Sequence, residues 1–144
     1  MAEFQRGATS TWRGDLKGGA GVVSTESGVL QDTAITFVSR FENAGGSNPE
    51  ELLGAAHAAC YSMYLSAILS AAGHVPDAVT TRAAVTLDAG GPKITRIHLV
   101  TEGQVPGIDQ ATFQQFADDA KLGCPVSKVL APGLEAMTLE ATLR

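Results

Sequence analysis

From Leu52 to Gly73 the chain reads LLGAAHAACYSMYLSAILSAAG, 22 residues without a formal charge, and no other stretch limits its possible folds so strongly. The length would suit a membrane span, but the composition argues against one. The apolar content is largely alanine, His57, three serines and two tyrosines interrupt it, and no Lys or Arg cluster flanks it to set a topology. A buried helix fits better. Asn48 can accept from the first free N–H groups, Pro49 is pre-set for the first helical position, Glu50 and Glu51 face the positive end of the dipole, and Gly73 supplies a stop. Such a helix of about 24 residues spans roughly 36 Å, about the width of a small domain. Its surface is apolar nearly all round, so it needs cover on every side, and in a small domain part of that cover would come from a second copy of the chain.

Around this helix the sequence reads as strands. Segments near Phe4–Arg13, Gly19–Thr25 and Thr33–Phe41 are short and separated by Gly14-Asp15, Gly18-Gly19 and Ser27-Gly28, which suits an antiparallel meander. Residues 42–47 form a loop into the helix. Beyond it, Ala78–Asp88 and Lys93–Val105 are β-rich and flank a hairpin turn at residues 89–92. Asp109 can cap a second helix, Gln110–Leu122, whose Phe113, Phe116, Ala117 and Ala120 share one stripe before Gly123. Cys124-Pro125 opens a short turn or helix, Val126–Ala131, and Leu134–Leu143 reads as a last strand. The predicted order is β-β-β-α-β-β-α-β, an α+β layout in one domain, residues 1–144, with strands on both sides of the helix.

At 144 residues with 44% hydrophobic and 17% charged residues, the chain can build a core without staples, and disorder, collagen-like repeats and a coiled coil are excluded. A net charge of −5 has the wrong sign for binding driven by phosphate neutralisation, so nucleic acid is not an expected partner. The N-terminal residues show no apolar signal-peptide core, and the expected compartment is the cytoplasm. There a disulfide between the two cysteines, Cys60 and Cys124, would be transient and catalytic rather than structural.

Those cysteines carry the candidate chemistry. Cys124 precedes Pro125 at the start of a short helix, where free N–H groups, with Lys121 and Lys128 nearby, favour a thiolate; the alternative is an inert buried thiol. Cys60 lies among alanines in the long helix, either as one more small residue in a packing seam or beside a cavity that admits an apolar substrate. Apolar surroundings alone raise a thiol pKa, so a chemical role needs a cation. Arg40, in the β-rich run FVSRF, is the leading candidate. If it points inward rather than to solvent it needs a carboxylate, Glu50 or Glu51. A fall in thiol pKa from about 8.5 to about 6 raises the thiolate fraction at pH 7 from about 3% to about 90%. His57, His74 and His98 have no ligand spacing, nothing in the spacing supports a metal site of His57, Cys60 and Cys124, and no phosphate-binding glycine motif is present.

Taken together, STESGVL at Ser24–Leu30, Arg40-Phe41-Glu42, NPEELLGAAHAAC at Asn48–Cys60, PGID at Pro106–Asp109 and GCPVSKVL at Gly123–Leu130 resemble the osmotically inducible protein C / organic hydroperoxide resistance (OsmC/Ohr) family, OsmC branch, over essentially the whole chain. The resemblance implies a stress-defence, thiol-dependent peroxidase that reduces organic hydroperoxides to alcohols. It implies an intertwined homodimer with antiparallel sheets wrapped around long central helices. By position Cys60 corresponds to the peroxidatic cysteine and Cys124 to the resolving one, reversing the order that helix position alone suggests, and Arg40 and Glu50 match the activating pair. A Cys60 sulfenic acid, a Cys60–Cys124 disulfide and recycling by an external dithiol reductant of the dihydrolipoyl type follow, with no metal, haem or flavin and no membrane partner. A non-enzymatic small-ligand-binding or redox-sensing dimer on the same fold is the alternative, and a purely structural dimeric domain with two unreactive cysteines is the third reading.

Overall fold

The computed structural model describes residues 2–144, and the chain divides into two compact units, one running to Pro49 and one from Glu50 to Arg144. In the first, β1 (Ala8–Arg13), β2 (Ala20–Thr25) and β3 (Thr33–Thr36) form an antiparallel meander, with Arg13 opposite Ala20 and Ala20 opposite Thr36. The β1–β2 turn follows its sequence chemistry: Gly14 takes φ 88°, and the N–H groups of Lys17 and Gly18 donate to Asp15 Oδ1.

The expected third strand, Thr33–Phe41, is corrected here. It stops at Thr36, and Phe37–Phe41 form a short helix, α1. The β-preferring residues of FVSRF yield to a reciprocal cap: Ser39 N–H donates to Thr36 Oγ1 (3.1 Å) and Thr36 N–H to Ser39 Oγ (2.9 Å). Ser39 Oγ lies 2.8 Å from Ser47 O and Ser47 N–H donates to Ala34 O, so the loop folds back along β3. Gly46, at φ 110°, makes this possible, since a Cβ there would stand 2.8 Å from Ala34 O.

The second unit holds α2 (Pro49–Ala71) from its second residue on, β4 (Ala78–Asp88), β5 (Lys93–Gln104), α3 (Gln110–Gly123), α4 (Pro125–Leu130), a 3-10 turn at Ala131–Gly133 and β6 (Ala136–Leu143). β4 and β5 pair antiparallel as expected, whereas β6 pairs parallel with β5, Arg96 opposite Ala136. The physical reason is connection length: α3, α4 and the 3-10 turn carry the chain across the sheet, and a crossover of that length returns it in the same direction. Tyr61, Leu65 and Leu69 of α2 and Phe113, Ala117 and Ala120 of α3 meet Ile97 and Leu99 of β5 in one core. Gly54 lets α2 approach β4, for a Cβ would stand 3.1 Å from Ala83 O. Gly73 ends α2 at φ 88°, with His74 N–H donating to Leu69 O across the final turn.

By length and composition α2 could cross a membrane, yet one face of it is the core of this unit. The opposite face, with Ala55, Ala59, Met63 and Ala67, is exposed, and Met63 is 73% accessible. Cover on every side is therefore not supplied within the unit.

Candidate active site

Cys60 sits half-buried in the middle of α2, and Cys124 is wholly buried at the junction of α3 and α4. The two sulfurs, 64 positions apart in sequence, lie 3.3 Å from each other, unbonded, with the Cys124 thiol donating to Cys60. That spacing exceeds a disulfide bond of about 2.05 Å by little more than an ångström.

The Cys-Pro dipeptide explains where Cys124 stands. A residue before proline avoids the helical region, and Cys124 takes φ −55°, ψ 128°, which breaks one helix from the next. Its N–H still donates to Ala120 O and its C=O accepts from Lys128 N–H, so a single residue closes α3 and opens α4. The thiol makes no capping bond to α4; it is turned toward Cys60.

Burial pushes the Cys60 thiol above its ordinary pKa, and the adjoining Cys124 adds in the same direction. A hydrogen bond with the Val126 backbone, in the first turn of α4, opposes them without reversing the direction. Left to these surroundings Cys60 would be protonated at neutral pH and a poor nucleophile, so its activation requires a cation.

Two further pairs flank the cysteines. Three residues before Cys60, His57 is wholly buried, and its Nε2 lies 2.7 Å from Oγ of Ser127, three residues after Cys124. His57 Nδ1 has no hydrogen-bond partner among the described residues. Burial lowers the His57 pKa, so the ring is neutral at pH 7. Four residues after Cys60, the Tyr64 ring lies against Gly123, where a Cβ would fall 2.5 Å from Oη and 2.7 Å from Cε1 and Cζ. In the sequence His57 reads only as a candidate metal ligand, and Ser127 as an ordinary helix residue. The signal was present as matched spacing, His57-x-x-Cys60 against Cys124-x-x-Ser127.

Arg40 lies on α1 in the N-terminal unit, half-buried, with Cζ 5.2 Å above the Phe41 ring. It borders a cavity of about 430 Å³ that Trp12, Leu16, Phe37 and Phe41 make largely apolar. Glu50 and Glu51 occupy the first turn of α2; Glu50 is buried and Glu51 exposed. Among the described residues no three His, Cys, Asp or Glu side chains cluster as a metal site would require.

A family model described as OsmC-like protein matches residues 42–138. Peroxiredoxin OsmC of Escherichia coli (strain K12) is 54% identical over 121 residues, covering 83% of this chain and 85% of that protein. Among solved structures, the organic hydroperoxide resistance protein OhrB of Bacillus subtilis superimposes with a TM-score of 0.67 at 25% identity, covering 94% of this chain and 97% of the other. An organic hydroperoxide resistance protein OsmC from Legionella pneumophila gives 0.69 at 20% identity, over 99% and 98%, a likeness of fold.

Proposed function

Because the chain belongs to the OsmC-like protein family and is a peroxide-reducing redox enzyme, we propose that it reduces organic hydroperoxides to alcohols with Cys60 as the peroxidatic and Cys124 as the resolving cysteine, acting as a single OsmC-like domain. Arg40, oriented by Glu50, is the cation that holds Cys60 as a thiolate against the burial that would protonate it. The thiolate attacks the distal oxygen of ROOH, the O–O bond breaks, and the alkoxide leaves as ROH with a proton, leaving Cys60 as a sulfenic acid. Cys124 then displaces the sulfenic oxygen as water, and the two sulfurs join. An external dithiol restores both thiols by exchange.

The observation that carries this reading is the 3.3 Å separation of two thiols from distant parts of the chain. The alanines around Cys60 in α2 support an alkyl hydroperoxide as substrate, since each CH₂ buried against apolar surface contributes roughly 0.8 kcal/mol that hydrogen peroxide cannot. The exposed apolar stripe of α2, with Met63 at 73% exposure, supports a homodimer, as do the exposed Leu122 of α3 and Val129 of α4.

The test is intact mass under non-reducing conditions after one equivalent of an organic hydroperoxide. Loss of two hydrogens in the wild type, no reaction in Cys60→Ser and oxygen adducts in Cys124→Ser are expected. Arg40→Ala should slow the first step strongly, with Glu50→Gln milder. An unreacted wild type would refute the peroxidase and leave the fold alone established.

A further inference from the structure

Helix α2 and the turn between α3 and α4 touch at three successive levels. Tyr64 meets Gly123, Cys60 meets Cys124, and His57 meets Ser127. Positions 57, 60 and 64 share one face of a helix, so the sulfurs are held between two flanking contacts. The flanks differ in kind. The Tyr64 ring on Gly123 is a steric stop that limits how closely the turn can approach. The His57–Ser127 hydrogen bond is a directional tie that keeps it from leaving.

Little else of α4 is wholly inside. It is six residues long, Ser127 is its buried residue, Val126 and Leu130 pack half-buried against the core, and Pro125, Lys128 and Val129 are exposed. We propose that His57 and Ser127 are positioning residues for the disulfide step, their buried hydrogen bond pinning the first turn of α4 to α2 so that the Cys124 sulfur stays within reach of Cys60. For its reaction the proposal rests on the peroxidase reading above; its geometry does not. In that step the Cys124 sulfur attacks the Cys60 sulfenic sulfur, the S–S bond forms and the S–O bond breaks. The sulfenic oxygen leaves as water with its own hydrogen and the Cys124 thiol proton. The Cys60 sulfur is reduced and the Cys124 sulfur oxidised, while His57 and Ser127 keep their protons throughout. Their effect is on the effective concentration of one sulfur at the other.

Three variants separate the tie from simple packing. Ser127→Ala and His57→Asn remove the contact, whereas His57→Gln places an amide N–H close to the position of Nε2 and should restore most of the wild-type behaviour. Two readouts are taken on each: the rate of disulfide formation after one equivalent of cumene hydroperoxide, by quenched-flow intact mass, and the midpoint potential of the Cys60–Cys124 pair in oxidised/reduced dithiothreitol buffers. Loss of the tie should slow disulfide formation about tenfold, consistent with one lost buried hydrogen bond, with sulfenic acid accumulating. It should also make the potential less negative by about 30 mV, that tenfold for a two-electron couple.

Wild-type rate and potential in Ser127→Ala would overturn the proposal, as would His57→Gln failing as badly as His57→Asn. If Ser127→Ala does not fold, by circular dichroism, the two His57 variants decide the question. A wild type that forms the disulfide in dithiothreitol buffer but not with hydroperoxide would refute the peroxidase reading while the potentials still test the tie. A wild type that forms it in neither would overturn both.

Discussion

Gly123→Ala is the substitution whose effect on the cysteine pair can be worked out most directly. The added Cβ would stand 2.5 Å from Tyr64 Oη and 2.7 Å from Cε1 and Cζ, short of ordinary contact, about 3.4 Å, by about 0.7 to 0.9 Å. Either the ring moves or the end of α3 does, and Cys124 is the next residue. A retreat of that size would take the sulfurs from 3.3 Å to about 4 Å. Overpacking of this kind costs about 2 kcal/mol. At about 2.1 cal/mol/K per residue, the 144 residues unfold with roughly 0.3 kcal/mol/K, so Tm should fall by about 7 °C. Differential scanning calorimetry reads the stability, and intact mass after a single equivalent of hydroperoxide reads the disulfide rate, which should fall with it. In a Tyr64→Leu background the cost of Gly123→Ala should shrink below about 0.5 kcal/mol, because the obstructing ring is gone. Additive costs in that cycle, or an unchanged Tm and disulfide rate in Gly123→Ala, would show that the ring does not limit the approach of Cys124.

The remaining predictions concern pH and packing. Burial lowers the pKa of His57, so the unfolded chain takes up a proton near pH 6.5 while the folded one does not. The stability from this group is present above that pH and lost as pH falls through the folded value. Thermal melts from pH 7 to 5 should therefore slope less in His57→Gln than in the wild type; equal slopes would assign the proton uptake elsewhere. Gly103→Ala places a methyl onto the ring of Phe113, which is fully buried. A loss of about 1–3 kcal/mol is expected by denaturant titration, partly recovered with Phe113→Leu, and no loss would mean that the strand yields.

Much of the second unit was legible because its signals are local. Strand alternation, the hairpin glycines and the Asp109 cap act over a few residues, and they give β4 as Ala78–Asp88 and α3 to within one residue of its observed end. Residues 37–41 misled because side-chain propensity and capping pointed in opposite directions. FVSRF favours a strand by composition, whereas the Thr36–Ser39 box, with the returning loop at Ser47, favours a turn of helix. The site divides along the same line. Cys60, Cys124 and Arg40 stand out as chemical residues in the sequence, the family pattern selects Glu50 over Glu51, and Ser127 is marked only by the matched spacing of His57-x-x-Cys60 and Cys124-x-x-Ser127, which gains meaning once the two elements pack together.

The order of elements, the Gly and Pro positions that punctuate them and the kink that Cys124-Pro125 imposes were determined by the sequence itself, because each depends on backbone sterics and hydrogen bonds within about one helical turn. The parallel pairing of β6 on β5, the meeting of two sulfurs 64 positions apart and the tie of His57 to Ser127 across 70 positions were decided only by the tertiary structure. The crossover through α3 and α4 and the core they share with α2 bring these groups together, and no periodicity along a single segment encodes a distance set by the packing of two helices on one sheet.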